Sequence, residues 1–226
     1  MSAGGAKRRG RASDILAAFT RKVAQRGYDA ANFSEIGAEL GISKGTIVHH
    51  YGTKDRLLAT LHEKYMQARL AEARLICRRL GTPQRQLAGL LFASIMYQVH
   101  ERDATVAFQR EVARIAGTAG KPLRDEYLEL VRDVLRRGVR EGVFRPGHVD
   151  VRSLLIFGSS HWAWTWFRPD GQLTAEQIGA TFVDLVLGSL LVDRSGLPEL
   201  ADPGGDVVRT VQRCFDDVAA ALAPAN

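Results

Sequence analysis

"GISKGTIVHHYGTKDRL", residues 41–57, holds two adjacent histidines, a tyrosine, two lysines and three glycines in one short turn-and-helix pattern. Four chemistries use such a set: metal binding, catalysis, a phosphate loop, or the reading of DNA. His49 and His50 are sequence neighbours, so on a helix their side chains point about 100° apart and do not converge on one ion. No third ligand stands at a metal-site spacing. The chain contains no HExxH, GxSxG, GxGxxG, GxxxxGKS or GxxxxGKT pattern. "GSSHW" (158–162) sets a serine beside a histidine, but neighbours on a helix do not face each other as a nucleophile and base must.

Reading DNA explains the stretch better. Residues 33–51 predict helix, glycine turn, helix, with Phe33, Ile36, Leu40, Ile42 and Ile47 placed to pack two short helices across each other. The turn is too short for an antiparallel pair, which leaves the helix-turn-helix arrangement. The second helix then exposes Ser43, Lys44, Thr46, His49 and His50, all hydrogen-bonding types. Its N-terminus offers backbone N–H groups to phosphate, and Gly45 permits close backbone approach.

Charge points the same way. The chain of 226 residues carries a net charge of +6. Residues 1–60 hold ten Lys/Arg against five Asp/Glu, so nearly all of the excess sits in the first quarter. A basic head on a near-neutral body predicts a polyanionic partner for the head alone. Lys7, Arg8, Arg9 and Arg11 form a basic arm suited to phosphate or minor-groove contacts. Hydrophobic residues make up 46% and charged residues 25%, the balance of a soluble globular chain. Cys77 and Cys214 match no metal or redox spacing and read as idle thiols of a reducing compartment. The start "MSAGGAKRRGRASD" lacks an apolar core, and Val151–Phe167 is interrupted by Arg152 and His161. The expectation is a cytoplasmic protein with no membrane span, no metal and no cofactor.

Every periodic segment reads as helix, so the fold class is all-α. Residues 1–10 predict a disordered arm and Arg11–Arg26 a first helix, with Ile15, Phe19 and Val23 on one face. Ser34 is a cap for the next helix, Ser43 for one over Lys44–Tyr51, and Thr53 for a long one over Lys54–Leu80. Gly41 and Gly52 are stops. "LGTPQ" (80–84) is a break. Helices follow at about 84–101 and 103–116, then a loop "GTAGKP" and a helix from Pro122 to about Glu141. "FRPGHVD" is a turn with Asp150 as cap for a helix at about 151–167, and "RPDGQ" is another turn. "TAEQ" (174–177) is a capping box that opens a helix to about 192. Val207–Leu222 is amphipathic with no assigned role. The expected domains are an arm (1–10), a DNA-binding domain (11–53) and an effector and dimerisation domain (54–226).

"FSEIGAELGISKGTIVHHYGTKDRLL" (33–58) closely resembles the DNA-binding signature of TetR-type bacterial regulators. The shared features fall on Ile36, Gly41, Ser43–Thr46, Tyr51, Lys54 and Leu57. The resemblance implies that Ser34, Lys44, Thr46, His50, Tyr51 and Lys54 lie at or beside phosphates, with Lys44, Gly45 and His49 nearest the bases. Two positions depart from the pattern. Val48 stands where the family usually has a tyrosine, and Gly37 where it usually has an alanine; the latter costs about 1 kcal/mol by helix propensity.

Residues 141–191 also resemble the branch of that family that answers to coenzyme A thioesters in steroid and fatty-acid breakdown, most closely at "WFRPDGQLTAEQIG". The implied protein is a homodimeric repressor of a palindromic double-stranded DNA operator, not an enzyme, released by a mostly apolar effector; an acyl- or steroid-type thioester is the suggested one. Its dimer interface would use the helices at about 151–167 and 174–192. Two operator half-sites one DNA turn apart, about 34–36 Å, require such a two-fold partner. Phe157, His161 and Trp162 are expected to face an effector with Met96, Tyr97, His100 and Phe108, and Arg110, Arg114 or Arg152 to meet an anionic head group. Three other readings stay open: a multidrug-type repressor of an efflux gene, a helical enzyme with His161 or His100 as base, and a DNA-coating protein without sequence specificity.

Overall fold

Helix starts and stops lie where capping chemistry puts them. In a computed structural model, which describes residues 3–114 and 121–223 and gives only the backbone of 3–9, the elements are all helices. They are α1 (Ala3–Arg26), α2 (Phe33–Leu40), α3 (Lys44–Tyr51), α4 (Lys54–Leu80), α5 (Pro83–His100), α6 (Arg102–Glu111), α7 (Lys121–Arg140), α8 (Val149–His161), α9 (Ala163–Trp166), α10 (Ala175–Leu190), α11 (Leu197–Leu200) and α12 (Asp206–Leu222). The one extended pairing among the described residues is a bridge between Phe144 and Leu191.

Ser43 accepts the Thr46 N–H at 3.1 Å, and Thr53 accepts that of Arg56 at 3.1 Å. The capping box is complete: Thr174 Oγ1 accepts from Gln177 N, and Gln177 Oε1 accepts from Thr174 N. Gly41 ends α2 with φ 63°, where a side chain would strain the turn.

Several sequence expectations need correcting. α1 begins at Ala3, inside the segment expected to be a disordered arm. The cap of α2 is Asn32, whose side chain accepts from Glu35 N at 2.9 Å; Ser34 lies within the first turn. Asp150 also lies inside its helix, which His148 precedes without a side-chain cap, and its carboxylate instead pairs with Arg132 at 2.9 Å. The single helix expected over 151–167 is two, α8 and α9, divided at Trp162. α6 ends at Glu111 rather than near 116. The loop beginning "GTA" lies mostly outside the described residues.

The chain forms two compact units. The first comprises α1–α3, the opening turns of α4 to Tyr65, and α6. Ile15, Phe19, Val23, Ile36, Ile47, Leu57 and Phe108 are its buried core. The second comprises the rest of α4, α5, and α7 to α12. Its centre is α5, which packs on α10 and α12 through Leu87, Leu91, Phe92, Val183, Leu187, Val211 and Phe215. α10 comes close because it carries Gly179: a Cβ there would lie 2.6 Å from the Phe92 ring. The amphipathic C-terminal stretch thus has a role, as the cover of α5.

Candidate functional site

The α2–turn–α3 segment is built from apolar anchors and backbone closure. Ile36 and Ile47 are fully buried and lock the two helices to the core. The turn closes through Ile42 N donating to Gly37 O at 2.9 Å and Gly41 N donating to Ala38 O at 3.4 Å. Gly37 is buried here, and a Cβ on it would lie 2.7 Å from the Ile42 carbonyl oxygen. The departure that propensity counts as a cost is therefore what lets the chain pass close over α2.

With Ile47 inward, α3 turns Lys44, Gly45, Val48 and His49 to solvent, with Ser43 exposed just before it. Thr46 and His50 are half-buried. Thr46 stays close to the cap, 3.0 Å between its hydroxyl and that of Ser43. The His49 and His50 rings meet edge to face with centroids 5.7 Å apart. Lys44 and Arg56 make no ion pair among the described residues. By contrast Arg21, Lys22 and Arg26 are drawn onto Glu35 and Glu39, with Arg21–Glu39 at 2.5 Å and Lys22–Glu39 at 3.1 Å. Those hydrogen bonds from Arg21 and Lys22 hold the Glu39 carboxyl below its usual range. Part of the basic head is thus spent on joining α1 to α2.

Two residues assigned to phosphate by resemblance have structural duties. Tyr51 donates its hydroxyl to the Ala12 carbonyl at 2.8 Å, and burial pushes that phenol up. Its proton fixes α3 to α1. Lys54 donates to the Asp29 carbonyl at 3.2 Å and sits 4.3 Å above the Tyr28 ring. Tyr28 is the hub of this corner. Its hydroxyl donates to Asp55 at 2.5 Å, its backbone N–H donates to Glu111 at 2.8 Å, and Arg114 lies over its ring while gripping Asp29 at 2.9 Å. Burial and the Asp55 carboxylate push the Tyr28 phenol up to about 12. The sequence contained the aromatic but no periodic signal for its partners, which come from α4, from α6 and from the turn that follows α6.

The residues expected to face an effector are not brought together as one set. Phe108 belongs to the first unit, stacked on Tyr65 at 4.5 Å and His62 at 4.6 Å. Arg110 is in the same unit and donates to the Ala24 carbonyl at 3.2 Å, near the end of α1. In the second unit, Met96 and His100 line a groove of about 430 Å³ against α12; Tyr97 stacks on Phe215 at 5.0 Å, and the His100 ring meets it tilted at 4.9 Å. Phe157 and His161 stack on each other at 6.2 Å, and Phe157 meets Tyr127 edge-on at 5.9 Å. Trp162 is 65% exposed. Of the arginines proposed for an anion, Arg114 holds Asp29, and Arg152 donates to the carbonyls of Arg145 and Pro146.

A buried ion pair escaped the sequence reading. Arg69 and Glu72 on α4 pair at 2.8 Å with side chains 3% exposed, and Arg69 lies 3.9 Å over the Tyr97 ring. The signal was present: 58, 61, 65, 69, 72 and 76 form one helical stripe, and two of its six members are charged. Desolvating an ion pair costs several kcal/mol per ion, so such a pair marks a polar spot in a core otherwise apolar.

Comparison with known proteins agrees with this geometry. Residues 15–61 match the family described as bacterial regulatory proteins, tetR family, and residues 80–190 match the tetracyclin repressor-like C-terminal domain. The HTH-type transcriptional repressor KstR2 of Mycobacterium tuberculosis (strain ATCC 25618 / H37Rv) is 31% identical over 192 residues, covering 81% of this chain and 92% of that protein. KstR2 of Rhodococcus jostii (strain RHA1) is 26% identical over 187 residues, covering 80% and 91%. The solved ketosteroid transcriptional regulator KstR2 of M. tuberculosis superposes with a TM-score of 0.73 at 29% identity, over 81% of this chain and 96% of that one. AibR, solved with isovaleryl coenzyme A and operator DNA, shares the fold with a TM-score of 0.69 at 23% identity, over 77% and 97%. These homologues are transcriptional regulators, not enzymes. With both of its halves matched in this way, the chain belongs to the TetR family of bacterial regulatory proteins.

Proposed function

We propose that the protein is a homodimeric, cytoplasmic repressor that grips a palindromic operator through α3 and releases it on binding a mostly apolar effector. The observation that carries the reading is the capped start of α3. Ile47 anchors the helix inward while Ser43, Lys44, Gly45 and His49 are exposed around an N-terminus, with no ion pair claiming Lys44 among the described residues. A helix N-terminus with an exposed lysine suits phosphate, and His49 stands one turn further along for a base edge. Ser34, Thr46, His50 and Lys54 support the same surface, and Tyr51 acts as a positioning residue through Ala12.

The dimer assignment rests on docking geometry and on apolar side chains left in solvent. Val151, Leu154, Leu155 and Trp162 near α8, and Leu185 on α10, are each more than half exposed. A second copy would bury them. For the effector, the solved KstR2 is a ketosteroid regulator and AibR was solved with isovaleryl coenzyme A, which together support a steroid- or acyl-type coenzyme A thioester. Tyr97, Phe157 and His161, with Arg69 beside Tyr97, are the second-unit side chains offered for it.

The test is a gel shift with DNA upstream of the protein's own gene. Lys44→Ala should weaken binding at least tenfold with the dimer intact, and wild-type affinity should fall steeply with salt. Unchanged affinity in the variant and a flat salt response would overturn the DNA assignment. Release of that DNA by steroid thioesters supports the effector reading; release only by uncharged aromatic drugs replaces it with the multidrug type.

A further inference from the structure

We infer that the groove between α5 and α12 is a second small-molecule site, for an amphipathic organic cation, separate from the thioester assigned above. The groove encloses about 430 Å³, within the roughly 300–1,000 Å³ of ordinary ligand sites. Met96, Val99, Phe167, Leu173 and Phe215 line it with apolar surface, and the His100 ring lies tilted against Phe215 at 4.9 Å. Val99 and Leu173 are half exposed, so the groove leaves apolar surface in water that a ligand would cover.

Its charged groups distinguish it from two other cavities described in this unit. In the depression along α4 and α7, Arg74, Glu126, Glu129, Asp133 and Arg137 each have an ionic or hydrogen-bonding partner, and the charge left over is a cation, Arg140. In the one near Val192, Arg85 is held by Glu199 and Asp206, and Asp193 by Ser195. In the α5–α12 groove the carboxylates are Glu176 and Asp216, and neither has a cationic partner within 4 Å among the described residues. Glu176 accepts one amide N–H, from Gln212 at 3.4 Å. No Lys or Arg lines the groove, and its one other titratable group is His100. The positive end of α10 also opens here, but the Thr174–Gln177 capping box and Glu176 in the first turn offset it. Two carboxylates over an apolar floor repel a polyanionic thioester and attract an ammonium joined to an apolar body.

One wall lies beyond the family match: Gln212, Phe215 and Asp216 belong to α12, past the matched segment 80–190, while the rest of the lining falls within it.

Isothermal titration of the full chain with phenylbutyl-trimethylammonium, and with phenylpentanoate as an anion of matched length, tests this. We expect saturable 1:1 binding of the cation per chain, at least tenfold tighter than the anion. The pair Glu176→Gln and Asp216→Asn should lose that preference. Val99→Trp fills the groove from a half-exposed position and should abolish binding with helicity unchanged by circular dichroism. No saturable binding at millimolar cation, equal affinity for both ions, or binding retained in Val99→Trp would overturn the site. Operator affinity is read separately by gel shift, so loss of one assignment leaves the other standing.

Discussion

Replacing Gly37 with alanine sets two physical terms against each other within one residue. Helix propensity favours alanine over glycine in a helix interior by about 1 kcal/mol. The packing opposes it. The new Cβ would lie 2.7 Å from the Ile42 carbonyl oxygen, 3.7 Å from its carbon and 3.8 Å from the Lys44 nitrogen. The nearest of these is backbone, and it belongs to the residue whose own N–H closes the turn on Gly37 O. It cannot swing away like the tip of a side chain. Overpacking of this kind costs about 1–3 kcal/mol, so the net expectation is a loss of up to about 2 kcal/mol. In a chain of this size that is a fall in Tm of several degrees, at about 2–4 °C per kcal/mol. Differential scanning calorimetry reads the sum, and amide hydrogen exchange at Ile42 and Thr46 shows whether the turn itself has loosened. The start of α3 should move with the turn, so operator affinity should fall as well. A Gly37→Ala protein with raised Tm and slower exchange in the turn would refute the reasoning, because propensity would then have outweighed the contact.

Three further outcomes follow from other parts of the fold. The Tyr28 phenol is raised to about 12 while the unfolded chain titrates near the ordinary value of about 10. Its contribution is full below pH 10 and is lost as pH rises toward 12, so urea unfolding of wild type should weaken across that window and Tyr28→Phe should lack this component. Burial pushes the Cys77 thiol up to about 11, and Cys214 is buried and raised too; neither should react with a disulfide reagent at pH 8 until the chain unfolds. Fast labelling of Cys77 in native protein would contradict this. Leu155→Glu, at a position 66% exposed in one chain, should leave the fold intact but shift the mass measured by light scattering from dimer to monomer; an unchanged dimer would remove α8 from the interface.

The helices were legible where one local signal decides them. Ser43, Thr53 and the Thr174–Gln177 box cap as their residue types dictate, and the α3 bounds follow from Ser43 and Gly52. The misplaced boundaries are those where two local signals competed or a partner distant in sequence intervened. Asn32 and Ser34 are both capping types, and Asn32 wins because it also pairs with Glu35, donating to that carboxylate at 2.9 Å while accepting its N–H. Asp150 could cap, but Arg132 from α7 claims its carboxylate, a partner that no local window contains. The break of 151–167 at Trp162 likewise follows from tertiary packing, with Ala163 fully buried and Trp162 turned outward.

The site divides along the same line. Which face of α3 points outward follows from Ile47 alone, so its exposed set could be read from spacing. Which of ten basic residues remain available to DNA could not, because Glu35 and Glu39 lie on a different helix from the cations they neutralise. Tyr51 and Lys54 show the same effect: each has a type suited to phosphate, and each is partly committed to a carbonyl elsewhere in the head. The charge excess of the first quarter therefore overstates the free positive surface. With Arg21, Lys22 and Arg26 engaged, Lys44 at the start of α3 and Arg56 are cations of the head without an ion pair among the described residues. Val48, 43% exposed on that helix, presents an apolar side chain where the family usually supplies a phenol. A head that spends three cations on its own framework and gives up a phenol depends the more on Lys44, and that dependence makes Lys44→Ala the decisive substitution for the operator.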